Sequence, residues 1–221
     1  MEYSLPPCPI FHDQHQGCIV TTPKSNNLTP VEHRVDMAAR GARNKHRGGV
    51  LWFTGLPGAG KSTLAIEVER HLFEMGYQVY ALDGDNIRRS LSADLGFSQA
   101  DRAENVRRVG ELAALLADAG LIAIAAMISP YHADRARARA AARTTGFHEV
   151  YIKADLVVCE RRDPKGLYKR AHAGEIPDFT GVSAPYEDPA RPDLTIDTTA
   201  SVDDCASGIV DYVVRNFAIT A

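Results

Sequence analysis

The densest chemistry in the chain lies in Gly55-Leu56-Pro57-Gly58-Ala59-Gly60-Lys61-Ser62, followed by Thr63. Gly55, Gly60, Lys61 and Ser62 satisfy the spacing G-x-x-x-x-G-K-[ST]. Glycines at those points let successive backbone N–H groups turn inward on a phosphate. Lys61 would place an ammonium on the β/γ-phosphates of ATP, and the Ser62 hydroxyl would ligate Mg²⁺. A second polar group is Asp83-Gly84-Asp85-Asn86, whose carboxylates suit Mg²⁺ organisation or acceptance of a hydroxyl proton. An Asp-Gly turn with a helix cap would look the same in sequence. A third is Arg102, Asn105, Arg107 and Arg108. Arg102 and Asn105 share a helix face and suit one anion held between them. A fourth is Ser129-Pro130-Tyr131.

The elements needed to position these groups are legible around them. Val50 to Thr54 is apolar or β-favouring and precedes the glycine loop, and Lys61 to Met75 carries Leu64, Val68 and Leu72 on one helical face. Gly76 stops that helix, and Tyr77 to Leu82 reads as a strand running into Asp83. Ser98 with Asp101 forms a capping box for a long helix whose stripe is Val106, Val109, Leu112/Ala113 and Leu116, ended by Gly120. Leu121 to Ile128 is almost wholly apolar, as a central parallel strand should be. A helix over 130–145, a strand from His148 to Ala154, a last strand over Asp193 to Asp197 and a helix capped by Ser201 complete the order. Cys159 and Cys205 read as packing residues. Alternation of this kind predicts an α/β fold with a parallel sheet and helices on both faces, which brings all the polar turns to one sheet edge.

The 221 residues carry a net charge of −3 and 45% hydrophobic residues. This is ordinary for a globular protein and excludes a nucleic-acid binder relying on bulk positive charge. No apolar run is long enough to span a bilayer, and the N-terminus lacks a basic, then apolar, signal pattern. A cytoplasmic protein with no membrane partner is expected. Residues 1–28, rich in proline and polar groups, read as a flexible leader containing unpaired Cys8 and Cys18; His12 and His15 there show no metal spacing. Residues 29–221 form the P-loop domain. Within the leader-to-loop stretch, Pro30 would open a short helix that Gly41 or Gly48 would stop. The segment of about 160–182, dense in charge and lacking an apolar period, reads as a mobile basic lid.

A GTPase would need N-K-x-D, whereas Asn44-Lys45-His46-Arg47 lacks the Asp and precedes the loop; Asp163-Pro164-Lys165-Gly166 meets D-x-x-G only nominally. A nucleotide sensor has no need of two further polar turns. A small-molecule kinase needs the whole set. From about Thr29 onward the chain resembles the adenylylsulfate (APS) kinases, which phosphorylate the 3′-hydroxyl of APS to give PAPS. LWFTGLPGAGKST (51–63), LDGDNIR (82–88), DLGFSQADRAENVRRV (94–109), DAGLIAIAAMISPY (118–131), VCERRDPKGLYKRAHAGEIPDFTG (158–181) and PYEDPARPDLTIDT (185–198) carry the resemblance.

That resemblance implies roles residue by residue. Gly55 to Thr63 would bind ATP. Asp85, Asn86, Arg88, Phe97, Arg102, Asn105, Ile128, Ser129, Lys165 and Phe179 would bind APS, with Phe97 and Phe179 sandwiching its adenine. Ser62 and Asp85 would hold Mg²⁺. Lys61, Asp83 and Asp85 would be catalytic, either aspartate serving as base, and Ser129 occupies the family's phosphoserine position. No base adjoins Ser129 in sequence, so a hydroxyl that hydrogen-bonds the substrate is the plainer expectation. The family also implies a homodimer and allows association with an ATP sulfurylase. Pro57, Met127 and Ala154-Asp155 depart from the family's usual residues without removing a group the reaction requires. Another P-loop kinase, such as a nucleoside monophosphate kinase, and an idle subunit scaffolding a sulfurylase are the alternatives.

Overall fold

The computed structural model describes residues 27–29, 31 and 33–219. Pro30, Cys8, Cys18, His12, His15 and almost all of the leader lie outside them. Five strands form one parallel sheet: β1 (Gly49–Thr54), β2 (Val79–Asp83), β3 (Ile122–Ala126), β4 (Phe147–Lys153) and β5 (Leu194–Asp197), in the order β2-β3-β1-β4-β5. The helices are α1 (Met37–Asn44), α2 (Lys61–Glu74), α3 (Gly84–Arg88), α4 (Gln99–Asp118), α5 (His132–Ala141), α6 (Leu156–Arg162), α7 (Leu167–His172) and α8 (Val202–Phe217).

β1 is central and buried throughout, so its side chains alternate between two cores. Leu51 and Phe53 face α2 and α8, where Leu64, Val68, Leu72, Ile209 and Val213 close the layer. Val50 and Trp52 face the other layer, with Val106, Val109 and Ala113 of α4 and Ala138 of α5. Each fully buried large side chain contributes about 1.5–3 kcal/mol, so this strand anchors the sheet. α4 and α5 approach closely because Gly110 has no side chain: a Cβ there would sit 2.9 Å from the Ala138 Cα. Met127 is buried in the α4 core and fills its place as an apolar group.

The α/β expectation holds, with differences at element ends. The helix expected to open at Pro30 begins instead after Asp36, whose carboxylate accepts the Ala39 N–H at 2.7 Å. It runs straight through Gly41, which is buried, and ends at Lys45 with φ 61°. β2 begins at Val79 rather than Tyr77, because pairing with Ile122 starts there while the Tyr77 N–H caps α2 at the Leu72 carbonyl. α5 occupies 132–141 rather than 130–145, preceded by the Ser129–Tyr131 turn. The segment of about 160–182, expected to be a lid without apolar pattern, contains the end of α6 and all of α7. Its Tyr168, Ala171 and Phe179 are buried in the α2 core, so the basic residues ride on an anchored frame.

Candidate active site

Parallel pairing places the C-terminal ends of β1, β2, β3 and β4 on one edge, and every polar turn expected there is there. After β1 the backbone turns at Gly55, where φ is 154° and a Cβ would meet the Ile152 carbonyl oxygen at 2.3 Å. Only glycine fits. α2 then starts from Gly60 in the left-handed region with no side-chain cap, leaving its first N–H groups to an incoming anion. Lys61 folds back on the loop, donating to the Gly55 and Leu56 carbonyls at 2.9 and 2.7 Å. Burial lowers its ammonium pKa to about 8, and the charge of Lys165 acts in the same direction. A buried ammonium at the loop suits a phosphate oxygen, with which it would form charge-assisted hydrogen bonds. The Pro57 carbonyl accepts the Tyr168 hydroxyl at 3.0 Å, tying the loop to α7.

The two aspartates are used differently. Asp83 caps α3, accepting the Asp85 and Asn86 N–H groups at 3.0 and 3.3 Å, and it also accepts the Ser62 hydroxyl at 2.6 Å. The cap reading of Asp83 therefore holds, and the same carboxylate also meets Ser62. Asp85 is exposed and pairs with Lys165, which reaches across from the segment between α6 and α7. Ser62, Asp83, Asn86 and Lys165 line one cleft of about 390 Å³ with Ile66, Glu69, Tyr80 and Ala81. Ser62 thus meets Asp83 directly, while Asp85, expected with Ser62 as a Mg²⁺ ligand, pairs with Lys165. A hydroxyl and two carboxylates are hard oxygen donors, and among the described residues no cluster of three His, Cys, Asp or Glu forms a cage. That donor set fits Mg²⁺, which takes one or two carboxylates and leaves its other positions to phosphates and water.

At the end of α3, Arg88 donates to the Gly96 carbonyl at 2.7 Å and lies over the Phe97 ring at 4.4 Å. Burial, and then the charge of Arg102, push the Arg88 pKa down. Arg102 donates to the Phe97 carbonyl at 2.9 Å and to the Thr180 hydroxyl at 3.4 Å. It therefore bridges the segments bearing Phe97 and Phe179. The rings themselves differ: Phe97 is 67% exposed, whereas Phe179 is 7% exposed and packs edge-on against Tyr168 at 5.1 Å. Asn105 is buried with an Oδ1 that has no hydrogen-bond partner. Arg107 and Arg108, by contrast, pair with Glu104, and Arg108 also with Asp94. They are the solvated face of α4 and leave the site.

Ser129 sits in the third turn with φ 40° and is 2% exposed. Its hydroxyl accepts the Trp52 indole N–H at 3.0 Å and donates to the Thr54 hydroxyl at 3.1 Å. This hydroxyl joins β1 to the turn and is buried there. The Ile128 carbonyl is likewise held by Thr54 at 2.8 Å. Sequence reading passed over Trp52, Thr54, Arg135, Tyr168, Thr180 and Tyr186. The PYED string around Tyr186 was the one available signal for the last of these.

A family model described as adenylylsulphate kinase matches residues 47–197. An adenylyl-sulfate kinase of Geotalea uraniireducens is 54% identical over 177 residues, spanning 80% of this chain and 85% of that protein. The structure of the Mycobacterium tuberculosis APS kinase CysC in complex with AMPPNP and APS is 51% identical, with TM-score 0.73, covering 75% of this chain and 96% of that one. A gluconokinase from Sinorhizobium meliloti has TM-score 0.51 at 15% identity, covering 76% and 93%, a likeness of fold alone.

Proposed function

The chain belongs to the adenylylsulfate kinase family, and from that premise we propose that it transfers the γ-phosphoryl group of ATP to the 3′-hydroxyl of APS, giving PAPS and ADP. The observation that supports this most is a phosphate loop and a cationic group of side chains placed beside the same Asp83–Asp85 turn. An uncapped α2 N-terminus with Lys61 is joined by a second cationic group, Arg88 with Arg102, whose charges act on one another.

In this reading Lys61 exchanges the Gly55 and Leu56 carbonyls for ATP phosphate oxygens. Ser62 and Asp83 would hold Mg²⁺ with help from Asp85, and the ion would neutralise phosphate charge. Asp83 already accepts three hydrogen bonds, from Ser62 and from two amides of α3, which fix it at the Ser62 corner. Asp85 has only Lys165, and the base role goes to it. The 3′-oxygen bonds to the γ-phosphorus as the bond to the β,γ-bridging oxygen breaks, and the 3′-proton passes to Asp85. Lys165, released from Asp85, turns to the substrate phosphates. Direct transfer of this kind needs no phosphoserine, in keeping with the enclosed Ser129 hydroxyl. The adenine of APS stacks on Phe97, with Phe179 as its backing.

The same reading makes PAPS formation a step of sulfate assimilation in the cytoplasm by a homodimer. Among the described residues no helix is long and apolar enough to cross a membrane. The test is a coupled assay of ADP release with MgATP and, in turn, APS, AMP and gluconate. Turnover with APS alone is expected. Turnover with AMP or gluconate would overturn the acceptor, and no turnover together with tight binding to an ATP sulfurylase would mark an idle scaffold.

A further inference from the structure

Arg135 on α5 is 3% exposed and lies outside every motif expected to do chemistry. Its guanidinium donates to the Ser129 carbonyl at 2.7 Å and to the Glu187 carbonyl at 2.7 Å, and its Nε lies 2.7 Å from the Glu149 carboxylate of β4. The Glu187 N–H in turn donates to the Pro130 carbonyl at 2.9 Å, and the Glu187 carboxylate accepts the His132 N–H at 2.6 Å. With Thr54 on the Ile128 carbonyl, three successive carbonyls of the 128–130 turn each have a dedicated donor. The residue in their middle, Ser129, is held at φ 40°, a conformation that persists in a non-glycine residue only when its surroundings impose it.

A buried ion pair is a weak source of stability, because desolvation offsets most of its attraction. What Arg135 and Glu149 supply is geometry. The planar fork reaches two backbone oxygens from segments 58 residues apart (Ser129 and Glu187) while its charge is balanced from β4. We propose that Arg135 is a positioning residue for the acceptor: through Ser129 and Glu187 it sets the turn at the end of β3, which adjoins the Asp83–Asp85 turn through the Asp83–Ala126 pairing and the close approach of Gly84 to Met127. This rests on the acceptor reading of the site given above. The residue acts through the turn and touches neither substrate.

The test is Arg135→Lys, which keeps a cation for Glu149 but cannot reach both carbonyls at once. The KM for APS is expected to rise about tenfold or more while the KM for MgATP stays within about twofold, since a small displacement of a positioning surface is felt by the group it positions. If this variant does not fold, Glu187→Ala removes the His132 clip from a half-buried site and should move the KM for APS in the same direction, less far. Unchanged KM for APS in the folded variant, or a kcat loss that merely follows a lowered melting temperature, would overturn the inference. Phe97→Ala run alongside separates the two levels. If it raises the KM for APS while Arg135→Lys does not, only the role of Arg135 falls; if the unaltered enzyme does not use APS, the acceptor reading falls and takes this inference with it.

Discussion

The two halves of the cleft are built from different materials. The donor half is backbone: Gly55, Gly60 and the bare amides at the start of α2, with one buried lysine whose place is fixed by carbonyls. The acceptor half is side chain: Arg88 lying over Phe97, Arg102 spanning to Thr180, and an exposed Asp85 held by Lys165. Backbone recognition suits a triphosphate, whose oxygens are alike in every NTP. Long side chains suit an acceptor that must be told from other nucleotides. The donor half should therefore fail through charge and the acceptor half through shape.

The largest effect is expected at Lys61. Lys61→Ala should lower kcat about 10³-fold or more, because a preorganised cation at developing charge is lost from a water-poor site, and circular dichroism should show the fold retained. Next is Asp85→Asn, for which a kcat loss of about 10²–10⁴-fold is expected from removal of a general base. Asp83→Asn, measured in parallel, should act mainly on the Mg²⁺ dependence. A third change targets shape: Phe97→Ala should raise the KM for APS about tenfold, the scale of one lost base stack, and leave the KM for MgATP alone.

A fourth prediction uses pH. Burial lowers the Lys61 pKa from 10.5 to about 8 in the folded chain. Between those values the unfolded chain binds the extra proton, so this group's contribution to folding stability rises with pH across the window and its burial penalty is fully present below pH 8. Phosphate binding has the opposite sign, since it needs the charged form. Above pH 8 the KM for MgATP should rise by up to about tenfold per pH unit while the KM for APS changes less. The smallest effect is at Ser129. Ser129→Ala should keep turnover within about threefold and cost about 1–3 kcal/mol of stability, because the Trp52 indole N–H loses its acceptor.

Much of the donor half was legible because its determinants are local. The glycine spacing, the apolar β1 and the helical stripe of α2 all lie within 26 consecutive residues, Gly49 to Glu74. The Ser98–Asp101 capping box was equally plain, and Ser98 does accept the Asp101 N–H at 3.2 Å. The acceptor half was legible in its residue types but not in its supports. Trp52 and Ser129 are 77 residues apart, and Thr54 and Tyr186 are 132 apart, so nothing in their local pattern joins them. The segment after β4 misled for a related reason. α7 is six residues long and is held by Tyr168 and Ala171, too few positions to make a helical period. Asp85 and Lys165 were both expected in the site; that they meet each other could only come from the fold.

A structure with APS and a non-hydrolysable ATP analogue bound tests the division of labour most directly. The triphosphate should lie on the α2 amides with Lys61 turned from the Gly55 and Leu56 carbonyls. The adenine of APS should lie on Phe97 beside Arg102, with its 3′-oxygen nearer Asp85 than Asp83. An adenine bound away from Phe97, or a 3′-oxygen facing Asp83 with Asp85 still paired to Lys165, would contradict it.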